Sequence, residues 1–154
     1  MANDGNHKVY FYANVTGGKA QAILDAIGYY DTNTDAVVYE YPLFYDVTIQ
    51  IGSFPTIQAL AWGQCNPSAQ YGASDPNRWC VSQYIMWNTF FESTHYSTQA
   101  KKAFIGCHEL GHTLGLRHTS RTTTCMRTAT IVPNFVPTTK VLDSHDTSHI
   151  NTHY

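Results

Sequence analysis

Eight histidines in a chain of 154 residues nearly equal the nine lysines and arginines. Three of them sit close together in the stretch His108-Glu109-Leu110-Gly111-His112-Thr113-Leu114-Gly115-Leu116-Arg117-His118. His108 and His112 are four positions apart, so on a helix both imidazoles project from one face, about one turn apart. That separation suits two ligands on a single Zn²⁺, each at about 2.0–2.1 Å. Glu109 falls beside such a metal rather than on it, where a carboxylate can take a proton from water. Gly115 lets the chain leave the helix and turn back, so that His118 reaches a third ligand position. Three neutral nitrogens with an open fourth position make a catalytic zinc arrangement, whereas a structural site is closed by four protein ligands. A lone i, i+4 histidine pair is common without metal; five defined positions across a helix end are not.

These residues need a helix and a floor to hold them. From Thr98 to Gly115 the apolar period is helical, with Ala100, Ala103, Cys107, Leu110 and Leu114 predicting one continuous buried stripe. Ser97 or Thr98 can cap the start, and Gly115 suits the stop. Upstream, residues 8–15 read as a first strand, and residues 19–30 as an amphipathic helix with Ala22, Ile23, Ala26, Ile27 and Tyr30 inward. Further strands are expected at 36–41, 46–51, 56–62 and 79–87, the last two separated by a Gly/Pro/Asn/Ser-rich loop at 63–78. Residues 117–136 are irregular and Thr-rich, and a final helix starts near Asp143-Ser144. This order predicts an α+β domain built on a five-stranded sheet.

Composition narrows the function classes. Charged residues are 13% of the chain, about half the ~25% usual for soluble proteins, and 11 Tyr and 19 Thr supply neutral polarity instead. A formal net charge of -2 removes the electrostatic argument for nucleic acid or an anionic membrane surface. No apolar run approaches the ~18 residues that would span a bilayer. The first seven residues have neither a basic segment nor an apolar core, so no signal peptide is visible. With four cysteines, the chain reads as a mature or recombinant form of a secreted protein.

The stretch from His108 to His118 resembles the signature of the metzincin zinc endopeptidases, H-E-x-x-H-x-x-G-x-x-H followed by a methionine turn. Met126, eight residues after His118, stands where the matrixin branch has that methionine. The likeness covers nearly the whole chain, since the element order from Lys8 to Gly115 is similar to the matrixin order. Asp146, Ile150 and Tyr154 match recurrent positions of the matrixin final helix. The resemblance implies a mostly parallel five-stranded twisted sheet with two major helices and a zinc cleft below a rim strand. It implies one catalytic domain over residues 1–154, with an N-terminal lobe of about 8–115 and a C-terminal lobe of about 116–154.

Departures matter too. Ser53-Phe54-Pro55 is too short for the matrixin loop that binds structural zinc and calcium, so one catalytic zinc is expected, with calcium possible but not indicated. Thr128 replaces the tyrosine that astacins and serralysins place two residues after the methionine, and Thr119 matches none of the residues that label the best-known branches.

The resemblance also implies site roles beyond the ligands. Substrate would lie along a rim strand including Gln58, Ala59, Leu60, Ala61 and Trp62. The segment 131–135, with Pro133 and Phe135, matches in position the wall of the pocket for the side chain after the cut bond. Because the zinc helix lies over the methionine turn in metzincins, a Cys107–Cys125 bridge is expected, leaving Cys65–Cys80 to close the loop between two strands. Four cysteines allow three connectivities, and four free thiols are a further alternative.

The implied function is a monomeric, secreted zinc endopeptidase acting on protein or peptide substrates through Glu109 as general base. The alternative is a zinc-holding binding or adhesion module of the same fold without turnover. His145, His149 and His153 form an i, i+4, i+8 row best read as a solvated helix face, and His7 and His95 have no partner pattern.

Overall fold

A computed structural model describes residues 5–66, 70–71, 79–80, 82–128 and 140–154. β-branched and aromatic residues recur in β1 (Asn6–Phe11) and β2 (Val37–Glu40) and β-branched ones in β3 (Val47–Gly52), and α1 (Gly17–Asn33) crosses between the first two. β4 (Ala61–Cys65) is followed by the short β5 (Gln70–Tyr71) and β6 (Trp79–Cys80), which pair with each other, and by β7 (Gln83–Asn88). A 3₁₀ turn and the four-residue α2 (Glu92–His95) lead to α3 (Gln99–Thr113), and α4 (Ser144–His153) ends the chain.

The main sheet has five strands in the order β2-β1-β3-β7-β4. Every neighbouring pair is parallel except β4 with β7, which is antiparallel. β4 therefore lies at one end of the sheet with its outer edge free of any strand among the described residues. One sheet face supplies Val9, Val38, Val47, Ile49, Ile85 and Trp87 to the core. α1 adds the five residues read from its period, Ala22, Ile23, Ala26, Ile27 and Tyr30. α1 and α3 approach to backbone contact at Gly106, where a Cβ would stand 2.7 Å from the Ala22 carbonyl oxygen.

Element boundaries moved where long-range polar contacts overrode periodicity. The rim strand is not 56–62 but Ala61–Cys65, because the preceding segment is committed to Asn88. The wholly buried Asn88 side chain accepts from the Phe54 N–H at 2.9 Å. It donates to the carbonyls of Phe54, Ile57 and Ala59 at 2.9, 3.1 and 3.0 Å. Ala100 lies in solvent rather than on the buried stripe of α3. The first turn of α3 meets α1 instead through a polar bond, Gln99 Nε2 donating to the Gly18 carbonyl at 3.2 Å. The Thr98 side chain caps α3 by accepting from the Lys101 N–H, and Asp143 caps α4 by accepting from the N–H groups of His145 and Asp146.

Two disulfides are present, Cys65–Cys80 and Cys107–Cys125, and no described cysteine is free. The second ties α3 to the segment before Met126. No helix among the described residues is long and apolar enough to cross a membrane.

Candidate active site

α3 brings His108 and His112 to one face, and the chain reverses directly after it. Gly115 takes φ 94°, a left-handed conformation that glycine adopts at little cost. The Leu116 N–H then donates back to the Gly111 carbonyl at 3.0 Å. This return sets His118 against the other two. The Nε2 atoms of His108, His112 and His118 stand 3.0, 3.1 and 3.1 Å from one another.

Two of the rings are held by their other nitrogens. His108 Nδ1 donates to the Cys125 carbonyl at 2.7 Å and His112 Nδ1 to the Leu116 carbonyl at 2.8 Å. A carbonyl can only accept, so the proton is on Nδ1 and the lone pair on Nε2. Three nitrogen donors facing one point repel unless an electrophile lies between them. Nitrogens tetrahedrally disposed about a zinc at 2.0–2.1 Å would be about 3.3 Å apart, close to what is found. The donor set therefore fits a metal ion, and His108, His112 and His118 form a group able to hold one. Burial, then the neighbouring His112, lowers the His108 pKa to about 3, and burial likewise lowers that of His112.

Below the trio the packing is close. Met126 is wholly buried, and a Cβ on Gly111 would collide with its Sδ and with the Tyr30 hydroxyl. Gly111 thus admits the methionine beneath the helix. The segment carrying His118 is stitched to this floor, the Thr119 N–H donating to the Met126 carbonyl at 3.0 Å.

Glu109 is buried against the rim. A Cβ on Gly63 of β4 would lie 3.7 Å from its Oε2, which has no hydrogen-bond partner. Burial raises the Glu109 pKa to about 8, opposed by a hydrogen bond from the Gly63 backbone. Gly63 also passes 3.7 Å from the His112 Cβ by the same measure, so β4 runs directly beside α3.

Other expected site residues lie elsewhere. Ala61 is buried towards the core, opposite Trp87. Trp62 is on the opposite sheet face, away from α3, its ring 5.2 Å from that of Phe54. The Ala59 and Leu60 carbonyls accept from Asn88, and Gln58 is exposed. Pro133 and Phe135 lie outside the described residues.

Four contributors escaped sequence reasoning. Phe104, one turn before His108, stacks on its ring at 5.9 Å, and the Arg127 guanidinium lies 5.6 Å from the same Phe104 ring. The i, i+4 spacing was a usable signal for Phe104. Nothing local marked Gly63 or Asn88, whose roles arise from contacts with α3 and with the segment before β4.

A helix-borne histidine pair, a third histidine after a glycine reversal and a buried methionine underneath form a metzincin-like group able to hold a metal ion. The matrixin family profile matches residues 4–154, and the chain belongs to the matrixin family. No curated protein sequence matches it at a significant level.

Proposed function

We propose that the chain is a secreted, monomeric zinc-dependent endopeptidase acting on extended protein substrates, with residues 1–154 as one catalytic domain. Its lobes would be about 8–115 and about 116–154. The observation that carries this reading is the convergence of three Nε2 atoms within 3.1 Å beside the unpartnered Oε2 of Glu109. Membership of a family of zinc endopeptidases and two disulfides support it.

A zinc ion held by His108, His112 and His118 supplies Lewis acidity to the scissile carbonyl and the attacking water. The chain's own residues do the rest. Glu109 takes the water proton and delivers it to the leaving nitrogen. The free edge of β4 offers backbone groups that an extended peptide can pair with. Ala61 and Trp62 begin that edge, whereas Gln58, Ala59 and Leu60 bring the chain to it. Met126 gives the site an apolar floor and takes no part in proton transfer. By resemblance, Pro133 and Phe135 belong to the wall of the pocket beyond the cut bond, which predicts an apolar preference there.

Cleavage of casein with and without a zinc chelator, alongside Glu109→Ala, tests the assignment. The expected result is chelator-sensitive cleavage that falls by about 10²–10⁴-fold in Glu109→Ala while bound zinc is unchanged. Cleavage that survives the substitution would overturn the mechanism. A wild-type protein that holds one zinc yet cuts nothing would instead be a non-catalytic module.

A further inference from the structure

The three histidines of α4 are not equivalent. His145 belongs to the helix start, where Asp143, His145 and Asp146 bring ligand atoms within 4.8 Å of one another. The oxygens of that group are engaged. Asp143 Oδ1 accepts from the backbone N–H groups of His145 and Asp146, both at 3.0 Å, and its Oδ2 meets Arg121 at 3.5 Å. Asp146 Oδ2 accepts from the Thr124 hydroxyl, and its Oδ1 lies 3.5 Å from His145 Nδ1. This group caps the helix and ties it to the methionine turn.

His149 and His153 differ. Their ring centroids are 4.6 Å apart, the separation also found between His108 and His112. His153 Nδ1 donates to the His149 carbonyl at 2.8 Å, the device that directs the lone pairs of His108 and His112, so its Nε2 carries the lone pair. No hydrogen bond reaches Nε2 of either ring among the described residues. His149 is partly buried, which holds its pKa below the ordinary value. His153, His145 and Arg117 lower it further, and Asp146 opposes them.

We propose that His149 and His153 form a second metal site, a two-nitrogen chelate on α4 for a borderline divalent ion such as Ni²⁺, Cu²⁺ or Zn²⁺. Paired imidazoles favour these ions over the hard, oxygen-seeking Ca²⁺ and Mg²⁺. Water completes the coordination. With two protein ligands instead of three, and with the Arg117 charge opposing that of Asp146, the site is weaker than the His108 trio. A bound ion would staple the last turns of α4, where Ile150 is wholly buried. The same end of the chain lies against Gly5, whose added Cβ would meet the Tyr154 Cβ at 3.7 Å.

The test is calorimetric titration of Ni²⁺ into zinc-loaded protein at pH 7.5, with released zinc followed by a coloured chelator and thermal melts run with and without Ni²⁺. One Ni²⁺ per chain should bind without zinc release and raise the melting temperature. His149→Ala and His153→Ala should each weaken binding at least tenfold and abolish the melting shift, while His145→Ala and Asp143→Asn stay within twofold of wild type. Absence of a Ni²⁺ equivalent beyond the retained zinc, unchanged affinity in His149→Ala and His153→Ala, or equal loss in His145→Ala would each overturn the assignment. His153 is exposed, so its variant does not depend on core packing. Zinc retention is read separately, so failure of the trio to hold zinc is distinguishable from failure of the α4 site.

Discussion

At the scale of single residues, the site depends on which nitrogen of each ring carries the proton. His108 and His112 each surrender Nδ1 to a backbone carbonyl, which leaves the Nε2 lone pair free for a metal ion. His7 is the opposite case. It is wholly buried, with Nε2 2.9 Å from the Thr113 hydroxyl on the far side of α3 and Nδ1 unpartnered. Burial lowers its pKa to about 3 from an ordinary 6.5. An unfolded His7 gains its proton as pH falls through 6.5, whereas the folded protein resists it until about 3. His7 therefore favours the fold fully above pH 6.5 and progressively less below it, by up to a few kcal/mol. Urea midpoints measured in chelator should fall less steeply between pH 7 and 4.5 in His7→Gln than in wild type. Parallel curves would show that His7 does not govern the acid response.

At the scale of elements, α3 was legible because its chemistry and its packing share one period. Cys107, Leu110 and Leu114 face the core while His108 and His112 face the cleft, and a single 3.6-residue repeat sorts both sets. α1 was legible for the same reason. The rim strand was not, because its start is decided by Asn88 on β7, a contact across 34 residues to Phe54. Asn88→Ala would leave the Phe54 N–H and three carbonyls without their buried partner, costing about 3 kcal/mol. Urea denaturation should register that loss. The same variant should raise KM for casein more than it lowers kcat, since β4 is the proposed substrate edge while Glu109 is on α3. An unaltered KM would separate the Asn88 network from substrate alignment.

At the scale of the molecule, the low charge count acquires a structural meaning. The sheet face away from α3 carries Tyr10 stacked on Tyr45 at 5.0 Å and Tyr39 edge-on to Tyr41 at 6.0 Å. Aromatic hydroxyls thus cover surface that lysines and glutamates cover in most proteins. One charged cluster joins elements: Glu92 meets Lys19 of α1 at 2.7 Å and Lys102 of α3 at 3.1 Å. α3 and the segment before Met126 are joined covalently by Cys107–Cys125 across 18 residues, a loop worth about 3 kcal/mol in the chain-entropy description. Replacing both cysteines by alanine should lower stability by about that amount. It should also weaken zinc binding at least tenfold, because the Cys125 carbonyl orients His108. Unchanged zinc affinity in the double variant would show that the carbonyl keeps its place without the bridge.

Residue order alone was enough for the clustering of His108, His112 and His118, the glycine reversal and the buried faces of α1 and α3. Each follows from local periodicity and donor chemistry within a few turns of chain. Nothing local could reveal that Gly63 lies beside Glu109, that Asn88 delays the rim strand, or that Trp62 turns from the cleft. Those outcomes depend on β4 pairing with β7 and passing α3, contacts between segments remote in sequence. The α4 histidines divide along the same line. Their spacing was plain from the start, but the partial burial of His149 came from how α4 meets the rest of the fold, and the grouping of His145 with Asp143 and Asp146 from the helix cap.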